Sequence, residues 1–373
     1  MYAAGNNIIK IIEEFAPLSW VFPGDVCGLQ WGDPDQPVQA ALLALDFNEA
    51  VLHEALAVGA NFVFTHHPFL YRPLSSLDLR ERRGALLGRA LKEGITLYSA
   101  HTNLDMAPGG VSQALAVLLG LEKLAVLHPT DQDKAEKLVV FVPEGFEDKV
   151  LNALAEAGAG WIGNYSHCAF QLRGTGTFLP RERSNPFMGT PGVVEKVDEY
   201  RLETIIPPGR REAVLEAMWR VHPYEEVAYD LYPLSLPGQA RGLGRVGELS
   251  VPVTLGELAL RCRELLQISS IKMLGETGKT VRRVAVLGGS GAAYMPAAVQ
   301  KGAQVFISGD ICYHDWQKAS DAGLALLDAG HAATEWPVIP VVAAFLRERL
   351  KAEGWATEVI IGRNEEMNIT VLD

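Results

Sequence analysis

Residues 38–59 align without a gap onto residues 281–302, an offset of 243. The first copy opens with a continuous apolar run at 41–45, the mark of a strand buried on both faces. Residues 48–58 follow with helical spacing at Val51, Leu52, Ala55 and Leu56, and Gly59 stops the helix. A second strand, NFVFT at 61–65, runs into His66 and matches QVFIS at 304–308, so that His67 falls opposite Asp310. Residues 87–91 fit a helix, and 95–99 a third strand that leads to His101. The order βαβαβ demands crossover connections and a mainly parallel sheet. The spacing then recurs: Asp105 lies four residues after His101, and Glu335 four after His331. A chain built this way is expected to form a duplicated, mainly parallel αβα domain.

The middle of the chain breaks the repeat. Residues 137–142, 167–172, 194–206 and 227–232 read as strands, and 146–157 and 211–221 as helices. That βαββαβ order predicts a ferredoxin-like module. A polar stretch at 131–137 leads into it, and 235–241, with Pro237 and Gly238, leads out. The expected organisation is a discontinuous α/β domain, 1–130 with 241–373, carrying an inserted α+β domain, 131–240.

Composition narrows the function. Lys and Arg number 33 against 45 Asp and Glu, a formal charge of −12. Such an acidic chain is a poor partner for nucleic acid or anionic membranes. No apolar run reaches the roughly 18 residues of a membrane span. The first ten residues lack a basic stretch followed by an apolar one, so the protein is expected in the cytoplasm. Cys27, Cys168, Cys262 and Cys312 are scattered without a CxxC pair, which predicts buried reduced thiols rather than a disulfide framework.

Metal-compatible side chains concentrate in four stretches: Thr65-His66-His67-Pro68, His101 to Asp105, Ser308-Gly-Asp310 with His314, and His331 to Glu335. The first histidines stand at carboxyl ends of parallel strands, the edge where open α/β sheets build their sites. Imidazole with carboxylate suits Zn, Fe, Mn or Ni. At least three histidines and two acids exceed what one four-coordinate ion needs, and a pair of ions sharing a carboxylate would use them. Gly288-Gly-Ser-Gly291 lacks the ending of a phosphate loop and reads as a tight turn. Gly174-Thr-Gly176 and His222-Pro-Tyr-Glu-Glu226 stand out in the insert as local clusters without a catalytic pattern.

THHPFLYRPL (65–74), SAHTNLD (99–105), SGDICYHD (308–315) and GHAATE (330–335) resemble the dinuclear-metal family known as GTP cyclohydrolase 1 type 2, the Nif-three-like proteins. GDVCGLQ (24–30) is similar to its N-terminal motif, and the insert, with GTGTF (174–178) and HPYEEVAYD (222–230), looks like the PII/CutA-like insertion of longer members. The resemblance implies His66, His67, Asp105, His331 and Glu335 as ligands of two divalent metal ions, with His101 close by. It also implies a homohexamer and a purine nucleotide substrate such as GTP, opened by hydrolysis. On this reading His101 is a catalytic base, and Asp310, Tyr313 and His314 orient substrate or the metal shell. The alternative is a non-catalytic metal-binding regulator or adaptor whose insert senses a ligand.

Overall fold

The computed structural model describes residues 1–132, 135–235 and 240–363. The chain divides into two compact units, 1–130 with 241–373, and 131–240. The stretches leading into and out of the second unit fall partly outside the described residues, at 133–134 and 236–239.

In the first unit the chain runs α1 (Gly5–Phe15), β1 (Gly28–Trp31), β2 (Ala40–Ala44), α2 (Glu49–Ala57), β3 (Phe62–Thr65), α3 (Arg82–Lys92), β4 (Thr96–Ser99), α4 (Thr102–Met106), α5 (Val111–Leu118) and β5 (Leu121–Gln132). The insert holds β6 (Glu136–Pro143), α6 (Glu147–Glu156), β7 (Ala169–Phe178), β8 (Glu195–Ile206), α7 (Arg211–Val221) and β9 (Tyr229–Pro233). The chain then returns through β10 (Ala240–Thr254), α8 (Leu255–Leu265), β11 (Lys272–Leu274), β12 (Thr280–Ser290), α9 (Met295–Gln300), β13 (Val305–Gly309), α10 (Tyr313–Asp321), β14 (Ala325–Asp328), α11 (His331–Glu335), α12 (Val338–Ala352) and β15 (Glu358–Ile361).

The first unit is an α/β structure with two sheets, ordered β1-β4-β3-β2-β15 and β11-β14-β13-β12-β10-β5. In each, three parallel strands form the centre, β2-β3-β4 and β12-β13-β14, with a short antiparallel strand beside the third. The duplication is wider than the sequence match: α1-β1 precedes the first copy as α8-β11 precedes the second. The strand that follows each copy's last helix joins the other copy's sheet, β15 beside β2 and β5 beside β10. Each copy is thereby completed by the other.

The continuous apolar runs are explained by burial on both faces. Leu43, Phe62 and Phe64 face a core shared with α1, α5 and α12, while Leu42, Val63 and Leu97 pack on α2 and α3. Val284, Val286 and Ile307 face α5 and α8, and Phe306 and Leu326 face α9 and α10. This arrangement leaves the carboxyl ends of the central strands as the place where polar side chains gather.

The insert is one antiparallel sheet in the order β7-β8-β6-β9. For a βαββαβ unit this is the ferredoxin-like order. Its core, Leu138, Val140, Leu154, Leu202 and Met218, lies under α6 and α7. No helix among the described residues is long and apolar enough to cross a membrane. The cysteines are unpaired, and only Cys262 is fully buried; Cys312 is exposed because it precedes α10 on a strand-end loop rather than packing in a core.

Candidate metal centre

The site begins with the end of β3. His66 and His67 continue the pairing to β2, their amides donating to Ala44 O at 3.3 Å and Leu45 O at 2.9 Å. Thr65 and Ser99, both fully buried, share a hydroxyl hydrogen bond of 2.8 Å that ties the ends of β3 and β4 together. His101 precedes α4, and Asp105 follows one helical turn later. His331 and Glu335 stand one turn apart on α11.

Four imidazoles converge. Ring centroids of His66 lie 4.9 Å from His67 and 5.2 Å from His101, and those of His67 and His331 are 5.4 Å apart. Each ring is fixed through Nδ1. His66 faces Ala100 O at 2.9 Å, His67 faces Asp46 at 3.0 Å, His101 faces Asp25 at 2.9 Å and His331 faces Asp310 at 2.7 Å. An acceptor there holds the proton on Nδ1 and leaves Nε2 as a lone pair, the usual support for a metal-binding histidine.

Glu335 is the hub. Its Oε2 lies 3.0 Å from His67 Nε2, and its Oε1 lies 3.2 Å from His331 Nε2 and 3.7 Å from His66 Nε2. His66 Nε2 is also 3.7 Å from Asp105 Oδ1. His66 is wholly buried, yet its Nε2 has no hydrogen-bond partner, and the buried Glu335 Oε2 has only His67 Nε2 beside it. Orphaned buried polar atoms are costly. Ligands bound at about 2.0–2.1 Å stand roughly 2.8–3.4 Å apart along the edges of an octahedron or tetrahedron, and the 3.0 and 3.2 Å separations of Glu335 from His67 and His331 match that, with His66 slightly wider at 3.7 Å. Two sets of ligand atoms lie within 4.8 Å of one another, His66-His67-His101 and His67-His331-Glu335. The donor set therefore fits divalent ions, with Glu335 placed to serve both sets.

The electrostatics agree. Burial alone would raise the Glu335 pKa, but the surrounding imidazoles overcome it and hold the carboxyl well below the usual carboxylate range. Burial disfavours a charged His67, yet the hydrogen bonds it donates to Asp46 and Glu335 push it up to about 10. His331 rises to about 9, chiefly through Glu335. Without a cation the cluster recruits protons to balance its acids.

Two features of the second repeat make the room. Gly288-Gly-Ser-Gly291 is the end of β12 running into a 3-10 turn, not a tight turn alone, because Gly289 takes a φ of +69° while the strand pairing continues to Ser290. A Cβ on Gly289 would run into Glu335 Oε1, and one on Gly309 would meet Gly330 and His331 backbone at 2.6 Å. By the offset of 243 these glycines correspond to Asp46 and His66. At these two positions the first repeat supplies side chains and the second supplies the space. Asp310, at a φ of +54°, corresponds to His67.

Of the nine residues singled out, the structure gathers His66, His67, His101, Asp105, His331, Glu335 and, behind His331, Asp310. Tyr313 and His314 lie at the start of α10, where their described contacts are with each other and with Gln317. Sequence reasoning gives Asp25, Asp46 and Gly289 no part in the site, and reads Gly289 only within a tight turn. Asp46 ends the first apolar run and Asp25 sits in the GDVCG motif, which were the available signals.

A family model described as Duf34/NIF3 (NGG1p interacting factor 3) matches residues 3–367. A protein of Halalkalibacterium halodurans named GTP cyclohydrolase 1 type 2 homolog is 43% identical over 358 residues, 96% of each chain. One of the same name from Bacillus subtilis is 43% identical over 329 residues, 88% of each chain. The crystal structure of a Bacillus cereus protein related to NIF3 superposes with a TM-score of 0.93 at 39% identity, covering 100% of this chain and 99% of that one. A Staphylococcus aureus protein of known structure gives 0.80 at 27% identity, covering 100% and 99%.

Proposed function

The chain belongs to the Duf34/NIF3 family, and from that footing we propose that it is a dinuclear metal-dependent hydrolase acting on a purine nucleotide such as GTP. The observation that carries this reading is the wholly buried, unpartnered His66 Nε2 inside a ring of imidazole and carboxylate donors centred on Glu335. His66, His67, His101, Asp105, His331 and Glu335 would hold two divalent ions drawn from Zn, Fe, Mn and Ni, the set that nitrogen and oxygen donors favour. Such ions supply Lewis-acid polarisation of the scissile group and lower the pKa of a water nucleophile.

The protein's own part is orientation. Asp25, Asp46 and Asp310 keep the Nδ1 protons in place, so that three Nε2 lone pairs point inward without reorganisation. His101, expected as a base, carries the same carboxylate support as His67 and His331 and belongs to a ligand set with His66 and His67, which favours ligation. The site is closed on one side, where His66 and Glu335 are buried. It is open on the other, where the His67 and His331 side chains are 23% and 37% exposed. Substrate would approach from that side.

The test is reconstitution of metal-stripped protein with each of the four ions, followed by a screen of purine nucleotides for hydrolysis. Turnover that depends on the ion and vanishes in Glu335→Gln supports the enzyme. Stoichiometric metal binding with no turnover of any nucleotide overturns it in favour of a metal-binding regulator.

A further inference from the structure

The insert carries a half-open cavity of about 510 Å³. Its floor is the face of the sheet that carries no helix. Leu138, Val140 and Leu202 point to α6 and α7, so Phe141 and Glu199 point the other way. Gly174 and Gly176 of β7 lie on that face in register with Glu199 and Val197, and Phe178 follows two residues later. The roof is the connection from β7 to β8, tied down where the Asn185 amide donates to Glu225 Oε1 at 2.9 Å and the Thr190 amide to Glu195 Oε1 at 2.9 Å. The two insert motifs that the metal centre leaves unused, at 174–178 and 222–226, thus converge on one cavity.

The lining has a definite chemistry. Four aromatic rings, Phe141, Phe178, Phe187 and Tyr224, line it. Tyr224 stands 6.4 Å from Phe178 and 6.2 Å from Phe187, centroid to centroid. Glu199 is only 9% exposed. Its Oε1 accepts from the Tyr224 hydroxyl at 2.9 Å. Partial burial and the Glu199 carboxylate both raise the Tyr224 pKa, which keeps that hydroxyl a donor. The neighbouring guanidiniums are engaged elsewhere, Arg173 with Glu144 and Arg201 with Glu203. A Cβ at Gly176 would run into Glu199 Oε2, so the glycine lets the carboxylate lie on bare strand.

A carboxylate in an apolar pocket needs further donors to offset its desolvation. A pocket of several hundred cubic ångströms with aromatic walls and few polar groups is the common form of a small-molecule site. The cavity also presents Glu225 and Glu226 against a single guanidinium, Arg181, which repels polyphosphates and favours a neutral or cationic ligand.

We propose that this cavity binds a flat aromatic group whose edge carries two adjacent N–H donors, accepted by Glu199 while the aromatic rings cover its faces. The site lies within residues 131–240 and is independent of the metal-centre reading. The ligand class is set by the carboxylate, which demands paired donors, and by the rings, which demand a flat body.

The experiment is calorimetric titration of the full chain with benzamidine, guanosine and inosine. Benzamidine and guanosine both present the paired edge, and inosine lacks one donor. The expected result is saturable binding of the first two, with inosine about tenfold weaker, the scale of one hydrogen bond to a charged group. Glu199→Gln keeps the shape and should weaken benzamidine and guanosine by at least about tenfold. Phe187→Ala, on the half-exposed roof, should weaken them without moving the thermal unfolding midpoint. No saturable binding of benzamidine up to about 10 mM, beyond the weakest useful affinities, overturns the proposal. So does binding that both variants leave unchanged.

Discussion

Glu335 Oε1 lies 3.2 Å from His331 Nε2, one helical turn away on α11. Both side chains are directed into a space that Gly289, on another element, leaves vacant. The five-residue helix fixes their spacing, and the second repeat's emptied strand ends allow them to enter.

Removing the hub should empty the site. Elemental analysis of wild-type protein after gentle purification should show about two divalent ions per chain, the complement of a two-metal hydrolase. Glu335→Ala combined with His331→Ala should lose most of both. Wild-type protein that stays metal-free after reconstitution sinks the site.

His101 and Asp25 should behave as ligand and support. His101→Gln should lose one ion, and Asp25→Asn should keep the ligand but weaken affinity by about 10–100-fold, the usual cost of removing a supporting partner. Metal titrations on both variants decide it. If His101→Gln retains both ions yet loses turnover, the histidine is a base.

Metal loading should release protons. With His67 at about 10 and His331 at about 9, both are charged at neutral pH in the metal-free protein. Ligation requires neutral imidazoles, so loading near pH 7.5 should release protons, those of His67 and His331 among them. Calorimetry in buffers of different ionisation heat measures this directly. The sign for stability follows from the raised values. In metal-free protein the contribution is complete below the unfolded pKa of about 6.5 and is lost as pH climbs through 9 and 10. A metal-free thermal midpoint that rises between pH 8 and 10 relative to Asp46→Asn contradicts it, those limits being about the raised values.

Gly289→Ala should cost metal before it costs fold. The new methyl meets Glu335, and a left-handed φ of +69° adds strain of about 1–3 kcal/mol. Gly278→Ala, where nothing lies within 4 Å of the new carbon, is the control. Equal metal content in the two variants would show that the space is not needed.

The insert should be removable. A Cβ on Gly242 would run into His128 O, so the chain leaving and re-entering the first unit lies side by side in neighbouring strands. Joining Thr130 to Arg241 through a short linker should leave a folded, metal-binding protein, read by circular dichroism and metal analysis. Failure to fold would show that the first unit depends on residues 131–240.

Much of this architecture was legible in the chain itself. Apolar runs such as 41–45 and 61–65 declare doubly buried strands, glycines such as Gly59 end the helices, and the offset between copies exposes the duplication. His66, His67 and His101 follow strand ends, so the edge that gathers them could be read from local pattern. What the tertiary structure decided was partnership. Asp25 reaches His101 across 76 positions, and Gly289 makes room for Glu335 across 46. Neither a coil carboxylate nor an absent side chain has a periodicity to reveal its neighbour. The exchange of β5 and β15 between the sheets likewise follows from long-range pairing. Local propensity sets what each segment becomes; only packing sets which atoms meet.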